Sequence, residues 1–193
     1  MSKIRNNPRN HAISKTQSRT SAARALIWAG ASIIAFAGLT TSVAFGQDGG
    51  SMQAQIAGPD GNALGEVTVR DTASGQAHVM IALSGLPEGT LGIHIHETGA
   101  CTPDFDAAGG HLAGEAEHGI DNEGGPHPGD MPNLHVPESG EITVEYFLAH
   151  LSTEMMDGEN GAALIIHEHA DDYHSQPTGE AGGRIGCGVF ERQ

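Results

Sequence analysis

The chain has 193 residues, 24 of them acidic against nine basic, for a formal charge of −15. Six of the nine basic residues lie in the first 46 positions, which contain no acid, so residues 47–193 keep three arginines and no lysine, a formal −21. That surface repels phosphate backbones and anionic bilayers, which argues against nucleic acid or a membrane surface as partner, and the remaining length suits one domain with a real core.

Lys3, Arg5, Arg9, Lys15, Arg19 and Arg24 precede the apolar run "ALIWAGASIIAFAGLTTSVA", which leads into a small-x-small end at Ala44-Phe45-Gly46. A basic stretch, an apolar core and such an end read as a signal peptide over residues 1–46, with cleavage expected near Gln47. An uncleaved anchor is the alternative, because the run approaches the length needed to span a bilayer. Residues 47–193 are then a single exported domain, periplasmic or extracellular, with no membrane contact once the leader is gone. Its two cysteines, Cys101 and Cys187, favour a disulfide in an oxidising compartment; two buried free thiols are the alternative.

Along the exported part, apolar residues alternate in short runs separated by turn signals. Met52, Ala54 and Ile56 precede "GPDGN", Val67 and Val69 precede "DTASGQ", and Val79, Ile81 and Leu83 precede "SGLPEG". "GIHIHE" at 92–97 follows, then Ile142, Val144 and Tyr146, then "AALIIH" at 162–167 and "RIGCGVF" at 184–190. Short strands without a convincing amphipathic helix predict an all-β antiparallel sandwich or barrel. Two segments break the rhythm, about Thr98 to Asn133 and about Glu168 to Gly183. Loops of this length in a compact domain are usually functional or disordered, and the histidines gather in these two.

In an extended "GIHIHE", His94 and His96 share one face while Leu91, Ile93 and Ile95 take the other, so both imidazoles can reach one ion. The first loop reads "AGGHLAGEAEHGIDNEGGPHPGDMPN" and holds His111, His118, His127 and Asp130. Three imidazoles and a carboxylate make a tetrahedral donor set suited to zinc. His135, His150, His169 and His174 are read as diffuse surface histidines, and His78 as a structural strand residue.

"GIHIHETGAC", "AGGH", "GGPHPGDMPN", "IIHEHADDYHSQPTG" and "AGGRIGCG", in this order, resemble the copper/zinc superoxide dismutases from Ala54 onward. The resemblance implies an eight-stranded Greek-key barrel of immunoglobulin-like kind with two functional loops. It implies copper on His94, His96, His111 and His167, and zinc on His111, His118, His127 and Asp130, with His111 bridging the two. It further implies a Cys101–Cys187 disulfide, Arg184 lining the copper site, and Asp171 accepting hydrogen bonds from a histidine of each metal. The implied activity is dismutation of superoxide, the small-molecule partner, to dioxygen and hydrogen peroxide by a copper redox cycle, with His111 supplying a proton. A homodimer is compatible with the resemblance.

The chain departs from the family pattern after His111, where Leu112-Ala113-Gly114 replaces the usual aromatic, polar, proline sequence and His118 follows sooner. This places any weakening of metal binding at zinc. The loop before Arg184 has no lysine to draw the anion in, so steering must come from the metals and Arg184 or be weak, and the rate should be less sensitive to salt than in lysine-steered relatives. A non-catalytic copper-binding module is the competing reading, but it would be expected to lack a ligand or the arginine. An adhesive sandwich with incidental histidines does not explain the order of the motifs.

Overall fold

The structure is a computed structural model that describes residues 50–193; the predicted signal peptide lies outside the described residues. Strands β1 (Ser51–Ala57), β2 (Ala63–Asp71) and β3 (Ala77–Leu83) form an antiparallel meander. Their alternation works as the sequence suggests: Met52, Ala54, Ile56, Val67, Val69, Val79 and Ile81 all point into one core. Strands β4 (Gly89–Leu91), β5 (Ile93–His96), β6 (Leu134–Val136), β7 (Ile142–Leu148), β8 (Ala163–His167) and β9 (Arg184–Arg192) complete the sheets.

The main sheet has the order β5-β8-β9-β1-β2-β3-β7, and β4 pairs separately with β6. Among the described residues nine strands stand where eight were expected, because one strand is interrupted. β4 and β5 flank Gly92, whose N–H donates to the His169 carbonyl (2.7 Å) and whose carbonyl accepts from His167 (2.8 Å). On one side of that break the chain pairs with β6, on the other with β8. Counted as one bent strand, they restore the eight of an immunoglobulin-like antiparallel fold.

The two helical pieces among the described residues are single turns. A 3-10 turn, Phe105–Ala108, sits in the first long loop, capped by the Asp104 side chain. Helix α1 (Thr153–Met156) starts at Ser152 and is tied to β2 by Asp71, which accepts from the Thr153 N–H. Capping of this kind satisfies backbone donors that a short helix leaves open. The two long loops lie where the sequence placed them, and both fold against the β5–β8 side of the sheet.

Candidate metal centre

Strand β5 determines where the site forms. All four of its residues are buried, because the core covers Ile93 and Ile95 while the loops cover the opposite face. Its outer edge is paired by the first loop rather than by another strand. Ile95 N–H donates to Gly129 O (2.9 Å), Leu112 N–H donates to Ile95 O (2.8 Å), and Glu97 N–H donates to Gly110 O (3.0 Å). Isolated bridges His96–His111 and His94–Asp130 result. The approach requires glycine at 129, where a β-carbon would stand 2.3 Å from the Ile95 carbonyl oxygen. Residues far apart in sequence are thereby laid beside the two β5 histidines.

Two groups of donor atoms form, each with its atoms within 4.8 Å of one another. The first is His94, His96, His111 and His167; the second is His111, His118, His127 and Asp130. Every residue read from the sequence as a metal ligand falls in one of them, and His111 is in both. The second loop contributes Asp171, which is buried between them.

The hydrogen bonds select the tautomer of each ring. His94 Nε2 donates to Asp171 Oδ2 (2.8 Å), His96 Nδ1 to the Gly109 carbonyl (3.0 Å) and His167 Nδ1 to the Gly182 carbonyl (3.3 Å). Since carboxylate and carbonyl oxygens only accept, each of those nitrogens carries the proton and the other holds a lone pair. Those other atoms, His94 Nδ1, His96 Nε2 and His167 Nε2, are buried without a partner, as is His111 Nε2. Four unpaired buried nitrogens gathered in one place are costly unless an ion satisfies them. Burial also keeps these rings neutral: His94 is lowered to about 4, His167 to about 3 and His96 to about 2. An all-imidazole set with no proton competing for its lone pairs fits copper.

The second group reaches the same conclusion by crowding. His111, His118 and His127 bring their Nδ1 atoms to 2.9, 3.1 and 3.2 Å from Asp130 Oδ1, more donors than one oxygen accommodates well. His118 also donates from Nε2 to Asp171 Oδ1 (3.0 Å), so both its nitrogens face carboxylates. Burial opposes its charge, yet Asp130 and Asp171 together raise it to about 9. Burial likewise opposes ionisation of Asp130, but hydrogen bonds from His111 and His118 hold it below the carboxylate range. A dication at the centre of three imidazoles and a carboxylate removes the crowding and leaves His118 neutral, so this set fits zinc.

Arg184 opens β9 beside the first group. Its Nη1 donates to Phe105 O (2.6 Å) and its Nη2 to Gly109 O (2.8 Å), the carbonyl that also receives His96 Nδ1. One carbonyl therefore relates the guanidinium to a ring of the first group. The loop that carries these carbonyls, from the 3-10 turn to its C-cap Gly109, is held to β9 by the Cys101–Cys187 disulfide, whose Cα atoms are 5.9 Å apart.

His135 contacts Thr90, His169 lies 3.7 Å from Glu168, and neither they nor His150 and His174 join either group. His78 is structural as expected, hydrogen-bonded to Glu145 and stacked on Phe147. Sequence reasoning missed two amides. Asn133 pairs with both backbone groups of Asp171, and Gln176 with both of His118. Both lie inside the quoted motifs, but an amide has no spacing signal of its own.

The described residues form an antiparallel fold of immunoglobulin-like kind with two buried histidine clusters that share one imidazole, each with a donor set that could hold a metal ion. The copper/zinc superoxide dismutase family pattern matches residues 63–190. The chain is 38% identical over 145 residues to "Superoxide dismutase [Cu-Zn] 1" of Aquifex aeolicus, covering 72% of this chain and 86% of that one. Similarity also extends to a superoxide dismutase-like protein of Bacillus subtilis, whose crystal structure aligns at 36% identity and a TM-score of 0.65 over 71% of this chain and 96% of that one. The Cu/Zn superoxide dismutase of Brucella abortus aligns at 28% identity and a TM-score of 0.62, over 73% and 99% of the two chains. The chain belongs to the copper/zinc superoxide dismutase family, and its enzyme class is that of a superoxide dismutase, an oxidoreductase.

Proposed function

We propose that this chain dismutes superoxide outside the cytoplasm, with copper on His94, His96, His111 and His167 and zinc on His111, His118, His127 and Asp130. The convergence of four unpartnered, buried imidazole nitrogens supports this most directly. Bound copper supplies a one-electron couple that takes an electron from one superoxide and gives it to a second, while zinc, which has no redox chemistry, supplies fixed charge.

The protein's own residues do the rest. Asp171 holds His94 and His118 in their ligating tautomers through its two oxygens. His111 presents Nδ1 to one group and Nε2 to the other, so a proton taken up at Nε2 is placed to pass to the departing peroxide. Arg184, anchored by two carbonyls and always charged, orients a small oxyanion beside the first group. Export is supported by the disulfide and by the leader-like composition of residues 1–46.

Purified protein should contain one copper and one zinc per chain by elemental analysis and accelerate superoxide decay. Protein that takes up neither metal when both are supplied would overturn the reading.

Steering by charge should be weak. The acid nearest Arg184 is Asp106, 3.6 Å from Nε and largely exposed, and no lysine follows residue 46. We expect the decay rate to change by less than about twofold as the screening length falls from about 30 to about 8 Å on adding salt. Stopped-flow measurement at low and physiological ionic strength checks this; a steep fall would show that attraction at long range matters.

A further inference from the structure

His118 differs from the other ring donors in how its backbone is held. His94, His96 and His167 lie on strands, and His111 is bridged to His96. His127 donates its N–H to Asp130 Oδ2 (3.0 Å), within its own loop. The segment before His118 has little comparable support: Ala116 N–H returns to Ala113 O and Glu117 N–H to Gly124 O. This is also the segment that departs from the family pattern.

The support comes from the other loop. Gln176 Oε1 accepts from His118 N–H (3.0 Å) while Gln176 Nε2 donates to His118 O (2.8 Å). One primary amide thus pairs with both backbone groups of one residue, as a neighbouring strand would. Asn122 adds a second donor to His118 O and ties the same region to the His174 carbonyl (2.8 Å). Behind this, Asp121 N–H donates to Tyr173 O (3.2 Å), and a β-carbon at Gly119, φ 89°, would stand 2.0 Å from that oxygen. The loops touch closely here: Asp171 holds the His118 ring, and Gln176 is the side chain of the second loop that pairs with the ligand's backbone.

We propose that Gln176 is a positioning residue for zinc: it fastens His118 to the second loop and so sets its ring between Asp130 and Asp171 despite the shortened approach from His111. The proposal rests on His118 being a zinc ligand, as assigned above. Gln176 is exposed, so truncating it opens no core cavity and the fold should survive.

The test compares copper- and zinc-loaded wild-type protein with Gln176→Ala. Zinc release to a colorimetric chelator should be on the order of tenfold faster in the variant, as when other groups that orient a ligand are removed, with copper release unchanged. Cobalt(II) placed in the zinc site should show altered visible absorption bands, and the melting temperature of the metal-free variant should match wild type. Zinc release within twofold of wild type would overturn the role of Gln176 while leaving the site assignment standing. So would an equal acceleration for both metals, because that marks general loosening. Wild-type protein that binds copper but no zinc would overturn the site assignment and this proposal together.

Discussion

Replacing His94 with alanine should reduce superoxide decay, measured with copper and zinc supplied, to the rate without protein, a loss on the order of a thousandfold or more. His94 removes more than one donor. Its ring lies 4.0 Å from His111 and 5.0 Å from His167 between centroids, so it packs against two of the other three rings of the first group. It also supplies one of the two imidazole donors to Asp171, which lies buried against His118. Loss of that donor leaves Asp171 with less holding it in place, so zinc retention should weaken while copper is lost outright. Copper and zinc content, measured beside the rate, separates this from unfolding: a folded variant keeps some zinc and has no copper. His174→Ala, at an exposed ring outside both groups, should leave rate and metal content unchanged. Unchanged decay in His94→Ala would end the catalytic assignment.

Removing the disulfide by Cys101→Ser and Cys187→Ser should cost about 4 to 5 kcal/mol in the loop-entropy account, since the bridge spans 86 positions. For a domain of this size that corresponds to a fall in melting temperature of roughly 10 to 20 °C. A functional loss should accompany it for a local reason. Cys187 packs with Ala108, Ala163 and Ile165, and with Cys101 and Phe105 from the loop, so the bridge and this small cluster together hold the 3-10 turn. That turn and its C-cap Gly109 carry the two carbonyls that anchor Arg184. Activity per bound copper should therefore drop at a temperature where the variant is still folded. A lower melting temperature with unchanged activity per copper would show that Arg184 is held without the bridge.

Much of the β-structure could be read directly, and the reason is simple geometry. In β1, β2 and β3 side chains alternate between core and solvent, and period-two apolar patterning records that alternation residue by residue. β4 and β6 escaped notice because three residues are too few to show a period. β5 shows the limit more sharply. The alternation of Ile93 and Ile95 with His94 and His96 separates two faces, but it carries no sign that the loops bury the histidine face completely. A strand covered by loops cannot be told from a half-exposed one by its own residues.

By itself the sequence determined which donors exist and in what order: the same-face pair on β5, the histidines and Asp130 of the first loop, His167, and one arginine just ahead of Cys187. Those are properties of residue type and short-range spacing, which no folding event changes. The tertiary structure decided which donors meet and through which atom. The ring nitrogen that keeps its lone pair in His94 is set by Asp171, 77 positions away, and Nε2 of His118 is held by the same carboxylate, 53 positions away. The backbone of His118 is held by Gln176 across 58 positions. A hydrogen bond formed across such distances leaves no periodic trace in the chain, because its partners are brought together only when the two loops close over β5.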